Sequence, residues 1–314
     1  MAEAEELVAH IAERYDFRAQ TLFTFDQDVV LLRRDDGPNW VARIFPPQRP
    51  RARVLDDAEI LDWLAEHGYP AERCATADPV SELNGQTVLV TKAVSGVPRA
   101  GRRAAIKDAG GIRGLGELLG RLHTLPQATG AAARPGGAWH HMVDGSPTDE
   151  LAAARNWLEA AESDAPARDL SHFGMLADAL DAADACDGLP EALIHPDFVL
   201  ANVVATPEPS MVLVDWAAAG RGPRLWSLAF LLWAEGYKDL RRVDLAIAGY
   251  RRHITLEPDE LDRLEAAVGA RPLVFDIWRL HNRSLSAADA ARNAVQTREL
   301  ARAIAARARA AINS

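Results

Sequence analysis

The chain has 314 residues, 48% of them hydrophobic and 25% charged, which is typical of a globular protein of one or two domains. Its net charge of −10 and pI near 5.4 argue against a nucleic-acid-binding protein, which would carry a basic face. The acidic start is unlike a signal peptide, and the longest apolar run is too short to span a bilayer. We therefore expect a cytoplasmic protein with no membrane partner.

The N-terminal residues, 1–94, predict a small lobe rich in β-strands. Short runs of apolar and β-branched residues alternate there with turn residues, and two stretches have apolar residues at helical spacing. The predicted elements are a helix at residues 2–15, strands at 20–25, 29–33 and 40–45, a helix at 53–67 and a strand at 88–94.

The remaining residues, 95–314, predict a larger lobe made mostly of helices. Residues 126–148 are rich in Gly, Pro and Ala and predict a mobile connection. Residues 225–233 are apolar on all sides, as in a helix buried in a core. Further helices are predicted at residues 112–123, 149–162, 170–185, 239–253, 258–283 and 287–312.

The chemistry is predicted for a loop that reads His-x-Asp-x4-Asn, from His195 through Asp197 to Asn202. Asp215 then closes an apolar run of strand length. In protein kinases the Asp of such a loop takes the proton of the acceptor hydroxyl, and the Asn holds a metal ion. A further Asp, at a strand end, holds the metals that bridge the phosphates. From the residues alone, a surface loop in which Asp197 and Asn202 only make side-chain turns is the alternative.

The sequence resembles the aminoglycoside phosphotransferase and choline kinase-like family. That family has the catalytic loop His-Gly-Asp-x4-Asn, followed by an apolar strand that ends Asp-Trp or Asp-Phe; here Pro196 replaces the Gly and the strand ends Asp-Trp at Asp215. Residues 116–126 resemble the family's helix ending in Leu-His. Residues 222–229 resemble its Gly-Pro-x-x-x-Asp-Leu-Ala block, with Ser227 where the family usually has Asp.

The resemblance implies an α+β, protein-kinase-like fold with two lobes, residues 1–94 and 95–314. It also implies an ATP-dependent phosphotransferase in which Asp197 is catalytic and Asn202 and Asp215 hold Mg²⁺. Arg43 stands at the position of the strand lysine that pairs with the phosphates, and arginine keeps the charge and binds phosphate bidentately. Glu59 is then the ion-pair partner of Arg43; other acids share its helix, so this choice rests on the resemblance.

A catalytically silent kinase-like protein that binds a nucleotide or another ligand is the second hypothesis. The loop between the first two strands, residues 26–28, has no glycine, unlike the loop that covers ATP in protein kinases. Together with Arg43 this favours the silent protein, whereas the joint presence of all three catalytic and metal-binding side chains favours the enzyme. A metal-dependent hydrolase using His195 and Asp197 as ligands would need a second His cluster, so it ranks last.

The acceptor is predicted only as a hydroxylated small molecule, an aminoglycoside-like antibiotic or a metabolite. Acids in the helices after Asp215 suit a polycation, whereas aromatic residues in the same region suit a less charged ring system. A cationic, sugar-containing acceptor is placed slightly ahead. The acids are Glu235, Asp239, Asp244, Glu257, Asp259 and Glu260, and the aromatic residues are Trp226, Trp233, Tyr237, Tyr250, Phe275 and Trp278.

Overall fold

The chain divides into two compact units. The first unit comprises Met1–Ile106 and Val203–Ala217, and the second comprises Lys107–Asn202 and Ala218–Ser314. Asp215 therefore belongs to the first unit, whereas Asp197 and Asn202 belong to the second. The predicted division into residues 1–94 and 95–314 stays a prediction. The computed structural model describes residues 2–16, 19–26, 28–35, 37–97, 101–127, 129–139, 145–208 and 210–313.

The first unit is built on an antiparallel sheet with the strand order β1-β2-β3-β6-β4, to which β5 adds by pairing with β6. Two helices pack on it, α1 against the cluster that contains Val30 and Val90, and α2 against the cluster that contains Leu89. The elements are α1 (Ala2–Arg14), β1 (Ala19–Asp26), β2 (Val29–Arg34), β3 (Trp40–Ile44), α2 (Arg51–Glu66), β4 (Arg73–Cys74), β5 (Val80–Leu83) and β6 (Gln86–Lys92).

The side-chain alternation of β3 decides where Arg43 points. Trp40 and Ala42 are buried in the cluster on the α1 side. Because successive side chains of a strand point to opposite faces, Arg43 lies on the other face. There it is paired in register with Leu89 of β6, which belongs to the cluster on the α2 side.

A short hairpin of β8 (Val203–Ala205) and β9 (Met211–Leu213) also belongs to the first unit. The segment after α2 runs parallel to β9: the Leu213 N–H donates to the Pro70 carbonyl oxygen at 2.9 Å, and the Glu72 N–H donates to the Leu213 carbonyl oxygen at 3.0 Å. This pairing brings the region after α2 next to the strand that leads into Asp215.

The second unit is mostly helical, with a two-stranded sheet that flanks the catalytic loop. The predicted buried helix is α7, whose residues from Leu225 to Leu232 are all buried. The division between the units falls within α3 (Arg102–Asp108). The elements are α4 (Gly111–His123), α5 (Pro147–Ser163), α6 (Leu170–Asp181), β7 (Glu191–Ile194), β10 (Gly220–Pro223), α7 (Arg224–Gly236), α8 (Arg241–Tyr250), α9 (Pro258–His281) and α10 (Ala287–Asn313).

The α+β class predicted from the sequence is confirmed, with 55% helix and 15% strand. The helix predicted at residues 170–185 ends early, at Asp181, because the Asp184 carboxylate accepts the N–H of Cys186 at 2.7 Å and binds Arg263. That local bond makes a turn. None of the helices in the described part of the chain is long and apolar enough to cross a membrane.

The connection predicted to be mobile, residues 126–148, is packed against the second unit at residues 129–139. The Gly136 N–H donates to the Arg221 carbonyl oxygen at 3.1 Å, and the Gly137 N–H donates to the Ala218 carbonyl oxygen at 3.0 Å. These bonds attach the segment to β10 and to the chain just before it. Residues 128 and 140–144 of the connection lie outside the described residues.

Glycines allow α4 and α8 to cross with their backbones in contact. A Cβ atom on Gly116 would lie 2.0 Å from the Ala246 carbonyl oxygen, and one on Gly249 would lie 1.9 Å from the Arg113 carbonyl oxygen. The neighbouring atoms are backbone atoms, so neither side could give way by a side-chain rotation. The close crossing also brings His123, at the end of α4, to the Tyr250 hydroxyl at 2.9 Å.

We expect Gly249→Ala to lower the free energy of unfolding by about 1–3 kcal/mol, because the methyl group would force the two helices apart. Gly174→Ala is the matched control: Gly174 is helical and exposed, and nothing lies within 4 Å of the added methyl group. The control should raise the free energy of unfolding by roughly 0.5–1 kcal/mol. Urea unfolding of both variants measures this, and equal stabilities would contradict the close crossing.

Candidate active site

The predicted catalytic loop, residues 195–202 of the second unit, is held by its own side chains. The Asp197 backbone N–H donates to Nδ1 of His195 at 3.0 Å, so the His195 ring bonds the backbone of the loop. The Asn202 side-chain amide donates to the carbonyl oxygen and to Oδ2 of Asp197, at 2.9 and 2.8 Å. Both of these bonds use the amide nitrogen, so a cation would take the amide oxygen. The orientation of the Asp197 carboxylate is thus set by the predicted metal ligand.

Buried contacts anchor this loop to the rest of the second unit. The Ser227 hydroxyl, at the start of α7, donates to the His195 carbonyl oxygen at 2.9 Å. Ser227, which stands where the family usually has an Asp, thus bonds the loop through its hydroxyl. Ile194, the last residue of β7, packs so closely on Gly137 that a Cβ atom there would lie 2.3 Å from its Cδ1. Phe198 is fully buried and meets the His195 ring edge-on.

In the first unit the structure brings together Arg43 and Asp215. The Arg43 Nη1 atom donates to Oδ1 of Asp215 at 2.5 Å, with the two side chains 20% and 23% exposed. Asp215 has a φ of 71°, a left-handed conformation that is uncommon outside glycine. Its backbone N–H donates to Oε1 of Glu72 at 2.7 Å. The two predicted residues, Arg43 and Asp215, thus form an ion pair, and the Glu72 side chain bonds the backbone of Asp215.

Burial and neighbouring charges shift the pKa values of two groups in this cluster. Burial acts to lower the pKa of the Arg43 guanidinium, but the carboxylates of Asp215, Glu72 and Asp57 outweigh it and raise that pKa. Burial also raises the pKa of the Glu72 carboxyl, against the opposing effect of Arg43 and the Asp215 N–H. The Arg43 guanidinium is therefore charged at any physiological pH.

Glu59, the predicted partner of Arg43, lies on the exposed side of α2. The buried acid of that helix is Asp57, which accepts from Arg49 at 2.9 Å. Sequence reasoning missed Glu72, because it stands beyond the helix in a segment with no periodic pattern. The role assigned to Glu59 stays a prediction.

The glycine-free turn lies between β1 and β2. Its Asp28 carbonyl oxygen accepts the N–H of Ile44 at 2.9 Å, and Gln27 lies outside the described residues. The described part of the turn is therefore bonded to the strand that carries Arg43.

The predicted metal ligands suit Mg²⁺ bound together with a nucleotide. In the part of the chain that the structure describes, no three His, Cys, Asp or Glu side chains gather to hold a metal ion. Mg²⁺ is usually held by one or two protein oxygens, with phosphates and water completing its coordination. Asn202 offers an amide oxygen and Asp215 a carboxylate, which is the chemistry that such a site requires.

An aromatic pocket of about 530 Å³ lies in the second unit, lined by residues of α7, α9 and α10 and by Trp139. The Trp139 ring meets Phe275 and Trp278 edge-on, with centroids 4.8 and 6.0 Å apart. Trp233 is tilted against Tyr237 at 5.8 Å. Aromatic walls and this volume are typical of a small-molecule site.

Polar groups also line this pocket. Burial raises the pKa of the Asp276 carboxyl, against a hydrogen bond from Asn293 and the charge of Arg279. Nε1 of Trp233 is buried and has no acceptor among the described residues. A buried donor normally has a partner, so a ligand oxygen or a water molecule is expected there.

A buried ion pair holds Trp139 in the pocket wall. Glu150 and Arg271 are 0% and 2% exposed, and Oε2 of Glu150 lies 2.7 Å from Nη2 of Arg271. The same Oε2 atom accepts the backbone N–H of Trp139 at 3.0 Å. The Arg271 guanidinium lies 5.1 Å from the Trp226 ring centroid and 5.0 Å from that of Phe230. Removing one partner of such a pair typically costs about 3–5 kcal/mol, so the position of Trp139 is strongly fixed.

Helix α7 links the catalytic loop to the pocket. Ser227 bonds the loop at one end of this helix, and Trp233 lines the pocket further along it. At a rise of about 1.5 Å per residue, the two positions are roughly 9 Å apart along the helix axis. The predicted catalytic loop and the pocket therefore contact the same helix.

The antiparallel sheet of the first unit and the mostly helical second unit are those of a kinase-like fold. The chain belongs to the phosphotransferase enzyme family, which it matches over residues 23–266. The resemblance to aminoglycoside phosphotransferases and choline kinases is thereby confirmed.

Solved structures with the same fold support this assignment. An amicoumacin kinase in complex with AMP-PNP, Ca²⁺ and Ami has a TM-score of 0.61 at 13% identity, with 95% of each chain covered. The choline kinase LicA from Streptococcus pneumoniae has a TM-score of 0.62 at 12% identity, covering 95% of this chain and 99% of its own. An aminoglycoside phosphotransferase from Streptomyces rimosus, in complex with ADP and streptomycin, has a TM-score of 0.57 at 18% identity, with 86% and 98% covered.

At these identities the likeness shows the fold, and the predicted kinase-like architecture is confirmed. A search of curated protein sequences finds no match.

Proposed function

We propose that the chain is an ATP-dependent phosphotransferase that moves the γ-phosphate of Mg·ATP to a hydroxyl of a small molecule. The observation that carries this proposal is the Asp197 carboxylate fixed by Asn202, in a chain of the phosphotransferase family. The nucleotides in two structures of similar fold, AMP-PNP and ADP, support ATP as the donor.

In this proposal Asp197 orients the acceptor hydroxyl and takes its proton. The acceptor oxygen forms a bond to the γ-phosphorus while the bond to the β,γ-bridging oxygen breaks, and ADP leaves with the electron pair. Little covalent work falls to the protein, so orientation and charge stabilisation dominate catalysis. The bond from Asn202 to Oδ2 supports this role because it fixes the plane of the Asp197 carboxylate.

In this proposal the negative charge of the phosphates is neutralised with the help of Arg43, Asn202 and Asp215. Asn202 and Asp215 would hold Mg²⁺, which neutralises charge on the phosphate oxygens when it is bound. Arg43 offers a planar guanidinium that binds two phosphate oxygens at once. Its present bond to Asp215 keeps it charged and oriented. Glu59 keeps its proposed role as the α2 partner of Arg43.

The aromatic pocket is the proposed acceptor site. Its rings suit an ammonium group, which binds over an aromatic face, and Asp276 offers a carboxylate beside them. The Trp233 N–H suits an oxygen of the same molecule. A cationic hydroxylated acceptor, either an aminoglycoside-like antibiotic or a smaller metabolite, fits these groups better than a neutral one.

The second candidate function is a catalytically silent protein that binds a nucleotide or another ligand. It is favoured by Arg43 in the lysine position and by its bond to Asp215. A screen of hydroxylated metabolites and antibiotics for an ATP-dependent gain in mass separates the two. A phosphorylated product establishes the transferase; nucleotide binding without any product across the screen favours the silent protein.

Asp197→Ala should leave the affinity for Mg·ATP nearly unchanged and lower kcat about 10²- to 10⁴-fold, the usual contribution of a general base. Asp178→Ala, which removes an exposed acid from α6, is the control and should behave like the wild type. Steady-state kinetics with the acceptor from the screen measure both variants. Near-normal turnover in Asp197→Ala would show that the role assigned to Asp197 is wrong.

Arg43→Ala should weaken Mg·AMP-PNP binding about 10- to 100-fold, since a hydrogen bond to a charged group is lost. Arg43→Lys should recover part of that loss, and Asp215→Ala should remove the dependence of binding on Mg²⁺. Arg33→Ala, at an exposed position on the neighbouring strand β2, is the control. Calorimetric titration decides, and wild-type affinity in Arg43→Ala would exclude a phosphate contact.

Asp276→Asn should raise the KM for a cationic acceptor about tenfold, while the KM for ATP stays unchanged, because a charged contact near the acceptor is removed. In the wild type, kcat/KM should also fall as ionic strength rises, since salt screens the attraction between carboxylate and cation. A flat salt response with a neutral acceptor would exclude the cationic acceptor and leave the phosphotransferase proposal standing.

A further inference from the structure

The backbone of Glu72 is held in a defined position in the first unit. The segment Pro70 to Glu72 pairs in parallel with β9, through hydrogen bonds of 2.9 and 3.0 Å to both backbone groups of Leu213. Asp215 follows two residues after that strand. The origins of the Glu72 and Asp215 side chains are thus tied to each other by backbone hydrogen bonds.

The carboxylate of Glu72 uses both of its oxygens. Oε1 accepts the Asp215 N–H at 2.7 Å, and Oε2 accepts the Thr91 hydroxyl, from β6, at 2.9 Å. The charge of Arg43 acts on the same carboxylate. These two hydrogen bonds connect β6 with the turn after β9.

The bond to Asp215 falls on a strained position. The φ of 71° at Asp215 is unfavourable for a residue with a side chain, and such a conformation persists only when its surroundings enforce it. Next to it, the Trp216 indole donates to the Leu213 carbonyl oxygen at 3.0 Å and packs edge-on against Tyr69 at 5.7 Å. Glu72 completes this set by accepting the N–H of the strained residue itself.

The direction of the Asp215 side chain depends on this backbone conformation. Turning φ to the usual negative range would swing the Cβ atom, and the carboxylate with it, away from Arg43. The buried acid of α2, Asp57, is bound to Arg49 at 2.9 Å.

We propose that Glu72 is the positioning residue of this site: by accepting the Asp215 N–H, it holds Asp215 in the left-handed conformation that aims its carboxylate at the metal and at Arg43. The aim at the metal rests on the proposed function. The hold on the Asp215 backbone does not, and it can be measured without a nucleotide.

The first measurement is hydrogen–deuterium exchange at the Asp215 amide in the protein without nucleotide, resolved to single residues by fragmentation mass spectrometry. Glu72→Ala should speed exchange there about tenfold or more, the factor expected for a lost hydrogen bond. Glu72→Gln keeps a carbonyl oxygen as acceptor and should restore most of the protection. Thr91→Val, which frees Oε2, should speed exchange less than Glu72→Ala. Glu66→Gln, an exposed acid on α2 with the same loss of charge, should not change it.

The second measurement is the affinity for AMP-PNP with and without Mg²⁺. Glu72→Ala should weaken Mg²⁺-dependent binding roughly 10- to 100-fold, the usual effect of losing a residue that orients a metal ligand. Binding without Mg²⁺ should change much less, and Glu72→Gln should recover most of the difference. A purely structural role would lower both affinities together. If Glu72→Ala does not fold, Glu72→Gln and Thr91→Val carry the comparison with Glu66→Gln.

Normal protection of the Asp215 amide in Glu72→Ala would overturn the proposal, whatever the nucleotide data show. Faster exchange with unchanged Mg²⁺-dependent affinity would overturn the positioning role. A wild-type protein that binds no Mg·AMP-PNP overturns the proposed function, and the aim at a metal with it, while the exchange data still decide whether Glu72 holds Asp215.

Discussion

A charge taken out of water must meet an opposite charge, because the cost of burying it alone amounts to several kcal/mol. This constraint runs through both units. Arginine suits this pairing because its planar guanidinium offers several donors to a carboxylate. Of the 35 Lys and Arg residues of the chain, only three are lysines. Buried or half-buried pairs among the described residues include Arg49–Asp57, Arg224–Glu260, Arg242–Glu235 and Arg271–Glu150.

The same constraint shapes the proposed active site. Arg43 and Asp215 neutralise each other, so the negative charge of a nucleotide must compete with Asp215 for the guanidinium, and a cation must compete with the guanidinium for Asp215. In the proposed function, Mg·ATP would supply both the cation for Asp215 and the phosphate charge for Arg43. The ion pair between the two side chains would then be replaced by one pair for each of them. A site that is already charged and oriented loses little in reorganisation when the reaction begins.

The parts of this structure that could be predicted from the sequence are those encoded by local pattern. Three features are of this kind: the apolar run that forms α7, the apolar side chains of α4, and the spacing from Asp197 to Asn202. Each depends on residues that are close together in the sequence. In these places a strong periodicity, or a short motif that a known chemistry requires, was sufficient to predict the structure.

What could not be predicted depends on pairing between distant segments. Glu72 reaches Asp215 only because the chain after α2 lies along β9, and nothing in its own neighbourhood indicates this. The segment around Gly137 looks like a loose linker, yet its carbonyl oxygen accepts from Trp226 at 3.1 Å and its backbone bonds the chain before β10. Composition predicts flexibility there, whereas tertiary hydrogen bonds impose order.

Arginine at position 43 also has a consequence for chemical labelling. A lysine amine that has lost its proton attacks acylating reagents attached to a nucleotide, whereas a guanidinium stays protonated and does not. In the proposed function the phosphate-binding residue is the arginine, and the lysines of the chain are Lys92, Lys107 and Lys238. Profiling methods that recognise ATP-binding proteins by acylation of the phosphate-binding lysine would therefore overlook this protein, even in a cell where it is abundant and active.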